Sequence, residues 1–339
     1  MKALNKPKRD LNQREKLEDV IPLDTPFSLF IEPSDKCNFK CKFCPTSNLE
    51  LMKNTEGRNY GNIDFNLYKK IIDDLNNFKN KIKLLHLYKD GEPLLNPNIN
   101  KMIEYAKKSN CINTIATTTN AYLLNQELSL KMIDAGLDRI HISIEGINEQ
   151  QYLDISNVKI NFDRLIKNIE FFYKNKKQCQ IFIKIFENNL TKDDKNKFYN
   201  IFGNISDYIF IESIVPQWSY FEIKDINVTT NKSYIGEKLE YRNVCSMSFY
   251  TLAVNSNGLV SPCCADWARK VIVGDANNEK ITDIWNGKKL RDLQISFLEG
   301  KRKEHPFCSS CGLPVYNITD NLDNYSNILL ERIKYEKRN

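Results

Sequence analysis

The chain reads as an α/β protein, a run of parallel βα units followed by a small cysteine-rich α+β module. Three observations predict this. Strand-like and helix-like segments alternate through six βα units between Phe27 and Ile214, and that order implies a parallel sheet with crossover helices. The rhythm stops at Val215-Pro-Gln-Trp-Ser-Tyr220, which opens a polar connector running to Tyr241. Beyond it, five of the ten cysteines cluster at Cys245, Cys263, Cys264, Cys308 and Cys311. A parallel sheet of this kind is either curled into a barrel or doubly wound, and the pattern alone fits both.

The first strand is the apolar run Phe27-Ser-Leu-Phe-Ile-Glu-Pro33. Phe65 to Phe78 carries Leu67, Ile71, Leu75 and Phe78 at helical spacing, and Ile82 to Tyr88 reads as a buried strand. A helix over 99–108, a strand over 112–119, a helix over 126–135 and a strand over 139–144 follow. The next helix spans 162–174 and the next strand 180–186; the last pair is a helix over 193–202 and a strand over 208–214. In the module, Tyr250 to Pro262 holds two short strands joined by Asn257-Gly258, a hairpin turn, and a helix covers 289–298. The expected divisions are an N-terminal extension over 1–26, a core over 27–235, the cysteine module over 236–320 and a C-terminal tail or helix over 321–339.

A chain of 339 residues buries a substantial core. It has no apolar run of the roughly eighteen residues that span a bilayer, and its basic start leads into no signal-peptide core. The expectation is a cytoplasmic protein without a membrane partner. The formal charge of +6 comes from scattered lysines and forms no aromatic-interleaved stripe, which argues against nucleic acid as the partner. In that compartment ten cysteines point to metal binding or catalysis before disulfides. Cys111 and Cys179 stand alone in apolar surroundings and read as buried thiols.

The decisive motif is Cys37-Asn-Phe-Lys-Cys41-Lys-Phe-Cys44, a C-x3-C-x2-C triplet just after the first strand. Three thiolates on one loop can converge on an iron–sulfur cube and leave one iron open for chemistry. Zinc sites favour paired C-x2-C units with a fourth ligand nearby, and none follows here. With Phe43 before the last cysteine, the motif resembles that of the radical S-adenosylmethionine (radical SAM) superfamily. The resemblance implies a partial, TIM-like (β/α)6 barrel whose Cys37, Cys41 and Cys44 hold a [4Fe–4S] cluster. The open iron would chelate the methionine part of SAM, whose reductive cleavage gives a 5′-deoxyadenosyl radical.

The same resemblance assigns SAM contacts at the strand ends. Asp90-Gly91-Glu92-Pro93 resembles the family's GEP element, which holds the SAM amino group; Gly91 permits close backbone approach and Glu92 accepts from an ammonium. Asn120, in Thr119-Asn120, and Ser143 and Glu145, in Ser143-Ile-Glu145-Gly146, fall where relatives contact SAM; Glu145 stands where Asp is usual. Relatives also often place an arginine about a dozen residues later, where this chain has none before Arg164. The bland reading of Asn120 and Ser143 is strand-end capping.

The later cysteines run C-x17-C-x44-C-x2-C. The hairpin brings Cys245 and Cys263 together, Cys308 and Cys311 complete four ligands, and a closed four-thiolate site suits either a cluster or zinc. The segment resembles the SPASM and shortened twitch modules of radical SAM enzymes, which implies an auxiliary [4Fe–4S] cluster. No cysteine follows Cys311 to build a second one. Cys264 is either a packed thiol or a hydrogen-atom donor.

A second cluster can accept the electron left on a substrate radical. The resemblance therefore implies an oxidoreductase of dehydrogenase or epimerase type, served by an electron donor such as flavodoxin or ferredoxin. Only 26 residues precede Phe27, too few for a leader-peptide domain, which favours a small sugar or aminocyclitol substrate. A peptide- or protein-modifying enzyme and a non-catalytic iron–sulfur or zinc protein are the alternatives.

Overall fold

A computed structural model of the chain describes residues 1–7, 15–187, 190–317 and 319–336. Ten strands form one sheet: β1 (Leu4–Asn5), β2 (Ser28–Ile31), β3 (Ile82–His86), β4 (Ile112–Thr119), β5 (Arg139–Ile144), β6 (Gln180–Phe186), β7 (Tyr208–Glu212), β8 (Thr251–Val254), β9 (Leu259–Ser261) and β10 (Gly274–Asp275). Their order is β1-β7-β6-β5-β4-β3-β2-β8-β9-β10. Every pairing from β1 to β8 is parallel, and only β8-β9-β10 runs antiparallel. Strands β2 and β7 take different outer partners, β8 and β1, so the six-stranded core is an open, partial barrel.

Crossover helices Phe65–Asp74, Ile99–Lys108, Gln126–Asp134, Phe162–Asn175 and Lys192–Phe202 cover one face. Their starts are written locally. Asp64, Asn125 and Asn161 accept from backbone N–H groups of the first turn, and Thr191 with Asp194 forms a capping box. Strand alternation then sorts side chains. Leu29, Ile31, Leu85, Ile140, Ile142, Ile181 and Ile183 are buried against the helices in one continuous core. Each such side chain contributes about 1.5–3 kcal/mol by leaving water. The opposite row is polar and aromatic: Phe30 stacks on His86 at 4.1 Å, and His141 lies 4.7 Å from Phe182. That face is furnished as a cavity wall.

The flanking segments differ from expectation. The sheet begins at Leu4, whose strand completes the β7 edge, ahead of the expected first strand at Phe27. Leu17 and Ile21 from the N-terminal side, and Leu329 and Ile333 from the C-terminal helix Ser326–Glu336, join the second core with Met247, Phe249, Trp267 and Phe307. Extension and tail thus help to build the cysteine module. The hairpin is likewise continuous with the core sheet, because β8 pairs with β2.

Candidate active site

The triplet loop leaves β2 and is fastened on both sides. Lys40 N–H donates to the Ser156 carbonyl at 2.9 Å and Lys42 N–H to Ile155 at 3.0 Å, pinning the loop to the end of helix Glu149–Ser156. Cys44 N–H closes a turn on the Cys41 carbonyl at 2.9 Å. Cys41 is buried, while Cys37 and Cys44 are half-buried. Burial pushes all three thiols up, with Glu92 adding to the rise at Cys37 and Glu145 at Cys41. A thiol in such a place stays protonated until a metal displaces the proton.

Gly91 sits where the β3 end meets the segment leading to Cys37. A Cβ there would stand 2.3 Å from the Ser34 carbonyl oxygen and 2.4 Å from that of Lys36, so only glycine fits. Glu92 N–H donates to the Lys36 carbonyl at 2.7 Å, and Pro93 opens a short 3-10 turn. The Glu92 carboxylate accepts from Leu94 N–H at 3.0 Å, Thr119 Oγ1 at 2.6 Å and Asn120 N–H at 2.8 Å. It joins the ends of β3 and β4 and keeps acceptor capacity for a further donor. Burial pushes its carboxyl up to about 7. Asn120 reaches Asn38 in the triplet loop at 2.8 Å.

Ser143 lies half-buried near the end of β5. Glu145 just beyond is buried, and its Oε2 makes no hydrogen bond among the described residues. Burial pushes the Glu145 carboxyl up to about 7, Lys184 opposing and Glu212 adding. Lys184 on β6 pairs with Glu212 on β7 at 2.6 Å and lies 4.2 Å above the Phe186 ring. Phe43 packs edge-on to that ring at 4.7 Å. Lys184 and Glu212 were missed by the sequence reading, although alternation along Gln180–Phe186 sets Lys184 on the polar row. Arg164 is exposed and lies over Tyr122.

A buried ionic network, also missed, joins the two regions. Arg269 pairs with Glu32 at 2.6 Å and Asp35 at 3.3 Å; Arg58 pairs with Asp90 at 3.1 Å, and Lys89 with Asp90 at 2.7 Å. Burial would raise the Glu32 carboxyl, yet Arg269, Lys89 and Arg58 hold it down at about 2. Its six members come from four separate places in the chain, so spacing carries no trace of it.

Cys245, Cys263, Cys308 and Cys311 line one small cavity. Its other walls include Met247, Val271, Phe297, Phe307 and Leu313. Arg302 also lines it, donating to the Cys308 carbonyl at 2.7 Å and the Asn243 carbonyl at 2.9 Å. Burial pushes the Cys245 thiol up to about 12. Four thiols around a largely apolar space, with Arg302 and Asp266 both on its wall, fit a cluster held by four thiolates. Among the described residues no three His, Cys, Asp or Glu side chains converge on a single ion, whereas a cube takes each thiolate on a different iron. Cys264 is half-buried and does not line the cavity.

The Radical SAM superfamily profile matches residues 31–190, and an iron–sulfur cluster-binding domain, SPASM, matches residues 245–312. The chain belongs to the radical SAM superfamily. The cofactors of this radical SAM protein are accordingly a [4Fe–4S] cluster, SAM and an auxiliary cluster. The triplet loop with the unpartnered Glu145 oxygen suits the first two, and the four-thiol cavity suits the third. The chain is similar to GTP 3′,8-cyclase of Staphylococcus saprophyticus, 25% identical over 210 residues that cover 59% of this chain and 52% of that protein. A probable GTP 3′,8-cyclase of Methanococcus maripaludis is 36% identical over 148 residues, 42% of this chain and 44% of that protein. The chain spans about half the length of these curated relatives. Among solved structures, BtrN in complex with AdoMet and 2-DOIA superposes with a TM-score of 0.53 at 16% identity, over 84% of this chain and 92% of that one. Streptococcus suis SuiB bound to precursor peptide SuiA gives 0.62 at 18%, over 88% and 72%. These structures share the fold. No helix among the described residues is long and apolar enough to cross a membrane.

Proposed function

We propose that the chain is a radical SAM oxidoreductase acting on a small hydroxylated substrate, a sugar or aminocyclitol derivative, by dehydrogenation or epimerisation. The observation that carries this reading is the closed four-cysteine cavity in a module whose hairpin extends the core sheet beside β2. When bound, the cofactors supply a 5′-deoxyadenosyl radical and a second site able to take up an electron.

The chain's own residues bind and orient. Cys37, Cys41 and Cys44 hold the first cluster, and Cys245, Cys263, Cys308 and Cys311 the second. The spare capacity of Glu92, with Gly91, Pro93 and Phe43 shaping the pocket, receives the SAM ammonium. Asn120, Ser143 and the unpartnered Glu145 oxygen take its hydroxyls. The polar row of the sheet, with Lys184 and Glu212 at its end, faces the substrate. In an epimerisation the Cys264 S–H gives its hydrogen atom to the substrate carbon, and the thiyl radical left behind is restored by one electron from the donor and one proton from solvent. Reducing electrons come from a flavodoxin- or ferredoxin-like donor in the cytoplasm.

Supporting a small substrate, the match spans nearly all of BtrN, whose structure holds 2-DOIA, but leaves more of the SuiB chain unmatched. Peptide modification is the second reading, favoured by the similarity to anSMEcpe, covering 91% of this chain and 97% of that one in its complex with a Cp18Cys peptide. An anaerobic screen of sugars, cyclitols and peptides, scored by 5′-deoxyadenosine above the substrate-free rate, tests the choice. Turnover with a peptide alone would overturn the small-substrate reading. Absence of any SAM cleavage under dithionite would sink the enzyme itself.

A further inference from the structure

The connector Val215-Pro-Gln-Trp-Ser-Tyr220 touches both cysteine sites. Its grip on the module is extensive. The Cys311 thiol donates to the Gln217 carbonyl across 3.8 Å, and Gly312 N–H donates to the same oxygen at 3.3 Å. Ser219 Oγ donates to the Phe307 carbonyl at 2.9 Å, and the Trp267 indole donates to the Ser219 carbonyl at 2.8 Å. A Cβ on Gly312 would stand 2.0 Å from the Pro216 carbonyl oxygen, so this approach depends on glycine. Its link to the triplet loop is the Trp218 indole N–H, which donates to the Phe43 carbonyl at 3.2 Å. Phe43 immediately precedes Cys44.

From Cys44 to Cys311 the route is therefore a peptide unit, a hydrogen bond, one tryptophan, a second peptide unit and a second hydrogen bond. Metal binding acts directly on its far end. A group that holds Cys311 in place also fixes its neighbour Gly312, and through the Gly312 N–H it fixes the Gln217 carbonyl. A shift of Gln217 is carried by the rigid indole to the Phe43–Cys44 turn.

We propose that Trp218 is a positioning residue that couples the two sites, so that filling the four-cysteine cavity tightens SAM binding at the triplet. Such coupling is reciprocal: SAM at the triplet steadies the module equally. The inference rests on the two-cluster reading, and iron analysis of each preparation tests that reading separately.

The test uses four anaerobically reconstituted proteins: native, Trp218→Phe, Cys308→Ala and the double variant. Trp218→Phe removes the N–H donor and keeps an aromatic ring; Cys308→Ala removes the second cluster and leaves Cys311. SAM affinity is read from the change in the EPR spectrum of the reduced triplet cluster during a SAM titration. Each single variant is expected to weaken SAM by about fivefold, and the double variant no further, because both break one link. Gly312→Ala drives a Cβ against the Pro216 carbonyl and keeps every cysteine; it should weaken SAM in the Trp218 protein and do nothing more in Trp218→Phe. Losses that multiply, or native affinity in Trp218→Phe or in Cys308→Ala protein holding its triplet irons, overturn the proposal. Should Cys308→Ala lose the triplet irons as well, the Gly312→Ala pair decides it alone.

Discussion

The two cysteine sites of this chain are built in opposite ways. The triplet takes three thiols from one loop, Cys37 to Cys44, and surrounds them with buried carboxylates at the strand ends. The module gathers four thiols from Cys245 to Cys311, and the cavity they line is otherwise walled by apolar residues apart from Ser248, Asp266 and Arg302. Three ligands leave a corner for a cofactor, and Glu92 and Glu145 keep acceptor capacity for that cofactor's donors. Four ligands close their site. On the proposed reading, the contrast separates a place where chemistry starts from a place that exchanges electrons.

The sharpest way to break this contrast is to remove one ligand from each site. Cys41→Ala should abolish SAM cleavage and lower iron from about eight to about four per chain. Chromatography of 5′-deoxyadenosine with iron and sulfide analysis measures both, and persistent cleavage removes the triplet from its role. Cys308→Ala should lose the same amount of iron, keep SAM cleavage at saturating SAM and stop oxidised product. Normal product from that variant would end the electron-acceptor role of the module.

Two further changes test the surroundings of the triplet. Gly91→Ala forces a Cβ against the Ser34 and Lys36 carbonyl oxygens. It should cost about 2 kcal/mol of stability and cut SAM cleavage at least about tenfold, seen in anaerobic thermal melts and turnover. If cleavage survives while stability falls, this contact supports the fold alone.

The smallest effect concerns Glu145. Its carboxyl ordinarily titrates near 4.5 and is raised by burial to about 7. Between those values the folded protein binds more protons than the unfolded one, so stability falls as pH rises through the window and the penalty is complete above it. Glu145→Gln should therefore raise the Tm of SAM-free protein at pH 8, by a stabilisation on the order of 1–3 kcal/mol, and hardly at pH 5. An equal gain at both pH values would mean that the carboxyl is not held protonated.

Much of this was legible in the linear chain because it is local. Apolar spacing, N-caps such as Asp64 and Thr191, and the Asn257-Gly258 turn depend on neighbours a few residues away. The helices and strands consequently lie within a few residues of their expected bounds. The triplet is legible for the same reason. The register of Glu92, Ser143 and Glu145 was legible only through resemblance, since a strand end looks alike in many folds. The edge strand at Leu4 was not, because two residues carry no periodicity and pair with β7 across the whole core.

From residue order alone came the parallel α/β core, the three-thiol loop and the inventory of four later cysteines. Tertiary structure decided which sheet edge the hairpin joins, that the four thiols share one cavity, and that Glu32, Asp35, Arg58 and Arg269 meet without solvent. It also turned a featureless connector into the contact between Phe43 and Cys311. The division is physical: a local pattern needs only backbone geometry, whereas a buried ion pair or a shared cavity exists only once distant segments have excluded water together.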